Sequence, residues 1–241
     1  MEIGKAFSFV LEDEKWVNKV LIGAVVSAIP IANFAASGYA IDVMQNTIQD
    51  ETRPLPSWDD FGRFFIRGFK WLLGLLVYMV PILIISCLFT VMGGGLGAAM
   101  GDSADAADAF GVLLSGMGLV MSCLVLLYGL AVGFVIPAAT ARFALTDDVM
   151  QMFRFRELFA DIRRNLNGYL VAYVVMLVAA IVIGAILSLF GLIWLFIPIC
   201  GWIIAWVVNM AGTFYLQLAY SNLFGQYFKE ARPTGLETTQ P

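Results

Sequence analysis

Gly168–Leu189 reads GYLVAYVVMLVAAIVIGAILSL, and it lies inside a longer stretch, Asn165 to Phe228, without one charged residue. A helix rises 1.5 Å per residue and a bilayer hydrocarbon core is about 30 Å thick, so about 20 apolar residues make one crossing. The charge-free stretch has room for two. Dividing it at the Phe190–Pro198 region places spans over 168–189 and 200–224. Working outward, the same test selects 71–92, which opens just after Lys70, and 110–136, bounded by Asp108 and Pro137. The fold class that follows is all-α: a polytopic transmembrane helix bundle with four full spans.

Composition points the same way. The 241 residues are 61% hydrophobic and 13% charged, with a mean hydropathy of +0.85. Soluble domains average about 45–50% apolar and about 25% charged residues. The chain has no histidine. That removes Ser-His-Asp and Cys-His catalysis, the H-E-x-x-H zinc site and imidazole-held haem. Cys87, Cys123 and Cys200 stand singly in apolar runs without C-x-x-C spacing, and read as packing residues. A net charge of −4 without a basic stripe argues against nucleic acid. No phosphate-binding glycine loop is present. These readings predict no cofactor and no enzymatic activity.

A fifth apolar run, Val20–Ile41, is broken by Pro30 and followed by Asp42. Proline removes a helical hydrogen bond and clashes with the preceding turn, so the run is a kinked span or two short helices. Lysine and arginine prefer the cytoplasmic side. They number three in 1–19, four in 45–70, none in 93–109, five in 137–167, none in 190–199 and two in the tail. Four spans with both termini cytoplasmic fit these counts if the 17–46 segment is a Pro-broken re-entrant hairpin. Five spans with an external N-terminus is the competing arrangement, and it strands three lysines outside. The first 19 residues carry four acids and do not read as a cleaved signal. The predicted organisation is a single membrane domain over 1–228 and a flexible tail over 229–241.

Basic amphipathic stretches flank the spans. Over 57–70, Trp58, Phe61, Phe64, Phe65 and Phe69 are spaced for one helical face, with Arg63, Arg67 and Lys70 largely between them. Ser57 and Asp60 match a capping box. Over 148–166, Met152, Phe155, Phe159, Ile162 and Leu166 form a stripe beside Arg154, Arg156, Arg163 and Arg164. A weaker version, Ile3, Phe7, Val10 and Leu11, ends at Trp16 within 1–16. Each predicts a cytoplasmic interfacial helix, and the seven basic residues of the first two are candidate contacts for anionic lipid. Trp16, Trp58 and Trp71 fall at the inner boundary, Trp194 and Trp202 at the outer one. Small residues at 97 and 101, at 129 and 133, and at 180, 184 and 188 predict helix contacts.

The last span carries the most suggestive polar pattern: Asn209, Thr213, Gln217 and Ser221 recur every fourth residue. Such positions share one helical face, and amides exposed to lipid are costly, so the stripe should face the bundle interior or a wet path. Interhelical hydrogen bonding is the leading role and a ligand path the second. Asp42 is the acid nearest the membrane interior, expected to meet water or an arginine such as Arg142. Asp102, Asp105 and Asp108 read as a solvated outer loop rather than a cation site. Asp59 and Asp60 read as first-turn acids favoured by the helix dipole.

Four segments carry a family resemblance: F-x-F-x-x-x-D-E-x-W from Phe7 to Trp16, I-P-I-A-N with G-Y near 29–39, L-P-S-W-D-D-F at 55–61, and N-L-F-G-Q-Y-F-K-E at 222–230. Together they resemble a prokaryotic integral membrane family, domain of unknown function 4013, over nearly the whole chain. The resemblance implies a polytopic membrane protein and no particular activity. The expected function is a non-enzymatic structural or interaction component of the cell (inner) membrane, working with lipids and with other membrane proteins or further copies of itself. The alternative is a small transporter or binder of a lipid or amphiphile.

Overall fold

The computed structural model describes residues 2–99, 104–194 and 200–231. Among these the chain is helical, with no strand. A short α1 (Ile3–Ser8) passes into a 3-10 turn, Phe9–Glu12. Then come α2 (Trp16–Ala28), α3 (Asn33–Ile48), α4 (Phe61–Ala99), α5 (Ala104–Thr146), α6 (Phe155–Arg164), α7 (Leu166–Trp194) and α8 (Cys200–Ala231). Four stretches are long and apolar enough to cross a membrane: Trp58–Val91, Gly118–Thr146, Leu166–Leu192 and Gly201–Ala231.

The helices exceed the predicted spans. The 57–70 stretch is not a separate surface helix, because α4 runs from Phe61 straight through Trp71. No proline separates the two; of the two glycines before Trp71, Gly62 lies in the first turn and Gly68 in a tight helix crossing. Likewise α5 continues past Pro137, which was expected to end it. Beyond that proline, Ala138, Ala139, Ala141 and Ala144 are all buried. Packing of these strong helix formers outweighs one lost backbone hydrogen bond.

Two compact units can be distinguished: residues 1–73 with 137–241, and residues 74–136. In the smaller, the Tyr128 hydroxyl donates to the Tyr78 carbonyl at 2.5 Å. Cys87 and Cys123 are exposed there rather than packed. Gly101 and Asp102 lie outside the described residues, as do the side chains of Asp105, Asp108, Trp194 and Cys200 and the surroundings of Gly97.

The larger unit holds the core. Ala35, Ala36, Tyr39, Ala40 and Val43 of α3 pack with Phe64 of α4 and with Phe214 and Leu218 of α8. Phe9, Val10 and Leu55 close the same cluster. Phe9 was missed as an inward residue because the chain tightens to 3-10 geometry there, which shifts the buried face away from Leu11. Leu11 and Ile3 are exposed instead.

Pro30 acts as expected. The residue before a proline is pushed to extended backbone, and Ile29 caps α2 at φ −96°, ψ 116°. At about 1.5 Å per residue, the 13 residues of α2 and 16 of α3 reach about 20 and 24 Å, each short of a crossing. The two form a helical hairpin, with Lys19 and Asn46 both bonded to the 54–58 loop.

Two glycines set the α3–α4 crossing. A Cβ on Gly68 would lie 1.8 Å from the Phe34 carbonyl oxygen, and one on Gly38 would lie 1.9 Å from that of Phe64. The helices touch backbone to backbone. Of the small residues expected to make contacts, Gly133 is half-buried, whereas a Cβ added at Gly129 or Gly184 would meet nothing within 4 Å. Ala180 and Ser188 are exposed.

Candidate functional site

The loop between α3 and α4 begins at Asp50, which takes a left-handed φ of 64° and leaves α3. Pro54 and Pro56 cannot donate backbone hydrogen bonds and hold the segment extended. Its carbonyls are taken up by side chains from three places. Asn46 Nδ2 donates to Pro54 O at 3.0 Å, Lys19 Nζ to Leu55 O at 2.9 Å, and the Tyr39 hydroxyl to Pro56 O at 2.9 Å. Lys19 also pairs with Asp13 at 2.7 Å. Burial works to raise the Asp13 carboxyl, but the hydrogen bonds from Lys19 and the Lys15 amide, with the charges of Lys19 and Arg53, hold it below its ordinary value.

Trp58 follows immediately. Its ring stacks on Tyr39 at 4.3 Å between centroids and 12° between planes, and its Nε1 donates to Lys19 O at 3.0 Å. The half-buried indole packs against the core at the start of the apolar stretch Trp58–Val91. The capping-box reading of Ser57 also changes. Its hydroxyl donates to Asp59 at 2.5 Å, and it is Asp60 that accepts the Arg63 amide at 3.1 Å and caps α4.

One turn deeper lies the charge cluster. Asp42 of α3 is buried and is held by Arg63 at 2.6 Å and by the buried Arg67, both of α4. Arg67 also donates to Ala144 O of α5. Asp147, just past α5 in a left-handed conformation at φ 53°, accepts from Lys70 at 2.8 Å and lies 3.4 Å from Arg67 Nε. Asp42 thus meets arginine, as expected, but the arginines are Arg63 and Arg67 of α4 and not Arg142. Trp71 Nε1 donates to Thr140 at 3.0 Å, fastening α4 to α5 a turn away.

Arg142 has a different partner set. It is fully buried on α5, and pairs with Asp161 of α6 at 2.7 Å and with Glu157. Glu157 also takes Arg154 at 3.0 Å. Burial works to raise the Glu157 carboxyl, but bonding to Arg154 and the charges of Arg142 and Arg154 hold it low. The Tyr227 hydroxyl of α8 reaches the Asp161 and Ile162 carbonyls at 3.1 and 3.2 Å. Thus α6 is clamped to α5 and α8.

The polar stripe of α8 is split. Asn209 donates to Ala205 O, and Thr213, which is exposed, to Asn209 O, both one turn back on the same helix. The inward placement expected for Thr213 is therefore corrected, since bonding its own backbone removes the cost of facing outward. Gln217 reaches Ser37 of α3 at 3.4 Å, and Ser221 is buried. Asn222, not among the stripe positions, donates to Thr47 of α3 at 3.2 Å, and Gln226 donates to Asn222 at 2.8 Å. Beside them opens a cleft of about 550 Å³, lined in part by the buried Phe9, Leu55 and Thr47 and by the exposed Glu12, Glu51 and Arg53. Among the described residues, no group of three or more Cys, Asp or Glu is placed to hold a metal.

Every element of this junction except α1, the Phe9–Glu12 turn and α8 falls at least in part within residues 22–192, and that stretch matches a family described as Protein of unknown function (DUF4013). The chain belongs to the DUF4013 family. The match takes in L-P-S-W-D-D-F and the α2–α3 turn, but leaves the opening and closing motifs outside it. No curated protein and no solved structure matches this DUF4013 chain.

The ion pairs of this chain sort its candidate lipid contacts. Arg67 is buried in the cluster, and Arg63, Lys70 and Arg154 are held in ion pairs. Arg164 donates to Ala231 O at 2.8 Å. Arg156 and Arg163 are exposed, with no side-chain partner among the described residues.

Proposed function

We propose that this DUF4013 protein is an integral membrane protein with four full spans, acting without catalysis as a structural or interaction component of a membrane assembly. The observation that carries this reading is the outward face of α7. Ala180, Gly184 and Ser188 follow one another at every fourth residue; Ala180 and Ser188 are exposed, and among the described residues a Cβ added at Gly184 would meet nothing within 4 Å. Small residues at that spacing let a second helix approach backbone to backbone in lipid. The charges inside the larger unit act as cross-links: Asp42 pairs with Arg63 and Arg67, and Arg142 pairs with Glu157 and Asp161. Irregular backbone at depth is tolerated when covered by protein, which supports a re-entrant α2–α3 hairpin. The basic content of 1–19, 45–70 and 137–167 supports a cytoplasmic placement for both termini in the cell membrane.

Site-specific photo-crosslinking in native membranes tests it. A photoreactive residue at Leu177 or Ile181, both exposed on the same side of α7 as the stripe, should yield an adduct of discrete higher mass, a second copy or another membrane protein. Adducts with lipid alone at both positions would remove the reading. Binding or transport of an amphiphile is the second reading, favoured by the polar positions Asn209 and Gln217 of α8, of which Gln217 reaches Ser37 of α3. Replacing Asn209 and Gln217 with leucine abolishes uptake of an amphiphile under that reading, and leaves the crosslinked species intact under the first.

A further inference from the structure

Among the seven basic residues of 57–70 and 148–166, Arg156 and Arg163 stand apart as exposed and without a side-chain partner among the described residues, and both belong to α6. The inward side of that helix is Leu158, Asp161 and Ile162, all buried. Its outward side carries Phe155 at 49% exposure and Phe159 at 45%, with Arg156 and Arg163 beside them at helical spacing. The acids of α6 are already used, since Asp161 and Glu157 pair with Arg142. The outward face is therefore cationic and aromatic, with no competing exposed carboxylate of its own.

Its position is restricted as well. One residue, Asn165, separates α6 from α7, and the 3-10 turn Val149–Phe153 leads back to the end of α5. Both neighbours are long and apolar enough to cross a membrane. A ten-residue helix tied at both ends to spans stays at the level of the headgroups. Arg142 and Tyr227 fix its rotation, so the phenylalanines cannot turn inward.

We infer that the α6 face of Phe155, Arg156, Phe159 and Arg163 is a docking surface for the anionic lipid surface of the bilayer, with the two arginines on phosphate headgroups and the two rings among the upper acyl chains. Exposed aromatics beside unpaired guanidinium groups suit that boundary. The other five basic residues first considered for lipid are committed to protein partners and contribute little. This inference rests on the membrane placement proposed above. Retention of the chain in an alkaline carbonate wash tests that placement separately: release would refute it, whereas retention without lipid preference refutes only the present inference.

The experiment uses the full chain in mild detergent, titrated with phosphatidylglycerol or phosphatidylcholine and read by native mass spectrometry. The wild type should prefer phosphatidylglycerol, and R156Q/R163Q should lose that preference by roughly an order of magnitude. R154Q should keep it. Because both arginines are exposed, the double variant should melt with the wild type; should it misfold, R156K/R163K, which retains the charge, must keep the preference. Equal binding of the two lipids by the wild type, an unchanged preference in R156Q/R163Q, a lost preference in R154Q, or displacement of lipid by millimolar inorganic phosphate would each overturn the assignment.

Discussion

Arg67 is the residue on which the charge cluster turns. It satisfies Asp42 and reaches the Ala144 carbonyl, while almost none of it meets solvent. Removing one partner of a buried pair leaves an uncompensated charge, at a typical cost of 3–5 kcal/mol. Asp42 would keep the half-exposed Arg63, so R67M should destabilise by about 3 kcal/mol, the low end of that range. Thermal unfolding in detergent would check it, and D42N/R67M should lose less than the two single changes together. Glu157 gives a pH signature. Its carboxyl lies below the ordinary value, so its contribution is fully present above the usual carboxylate range near pH 4.3 and disappears as pH falls below it. Melting curves between pH 6 and pH 3 should decline, and E157Q should flatten part of that decline. An E157Q curve parallel to the wild type would show that Glu157 does not contribute.

At the scale of elements, the glycines separate contact from mere spacing. Motif spacing pointed to positions 129 and 184, yet the close approach is made by Gly38 and Gly68, thirty residues apart on two helices. No pattern within one helix marks such a pair. G68A would set a methyl group against the Phe34 carbonyl and force α3 from α4, at about 3 kcal/mol. G184A should stay within about 0.5 kcal/mol of the wild type. Similar destabilisation of the two variants in urea or heat would contradict this account. The amphipathic stretches show the same limit. Periodicity identified apolar faces in 57–70 and 148–166, but gave no means of telling a separate surface helix from the first turns of a span. In α4 there is no break, whereas before α6 the chain is turned by Asp147 and Asp148.

At the scale of the whole molecule, topology is the main prediction. In a chain freed of its native cysteines, a thiol at Met150, which is 69% exposed, should label from the cytoplasmic side, and one at Asp105 only from the opposite side. Labelling of both from one compartment would defeat the four-span arrangement. Hydropathy and charge determined much by themselves: four apolar helices, the break at Pro30 and the loops that carry arginine, because each depends on a local run of residue types. Pairing did not follow from them. Asp42 found Arg67 in place of Arg142, Trp58 found Tyr39, and Asn222 found Thr47. Those choices depend on which helix faces meet and in what rotation. Contacts between residues far apart in the chain set that rotation, and only tertiary packing decides them.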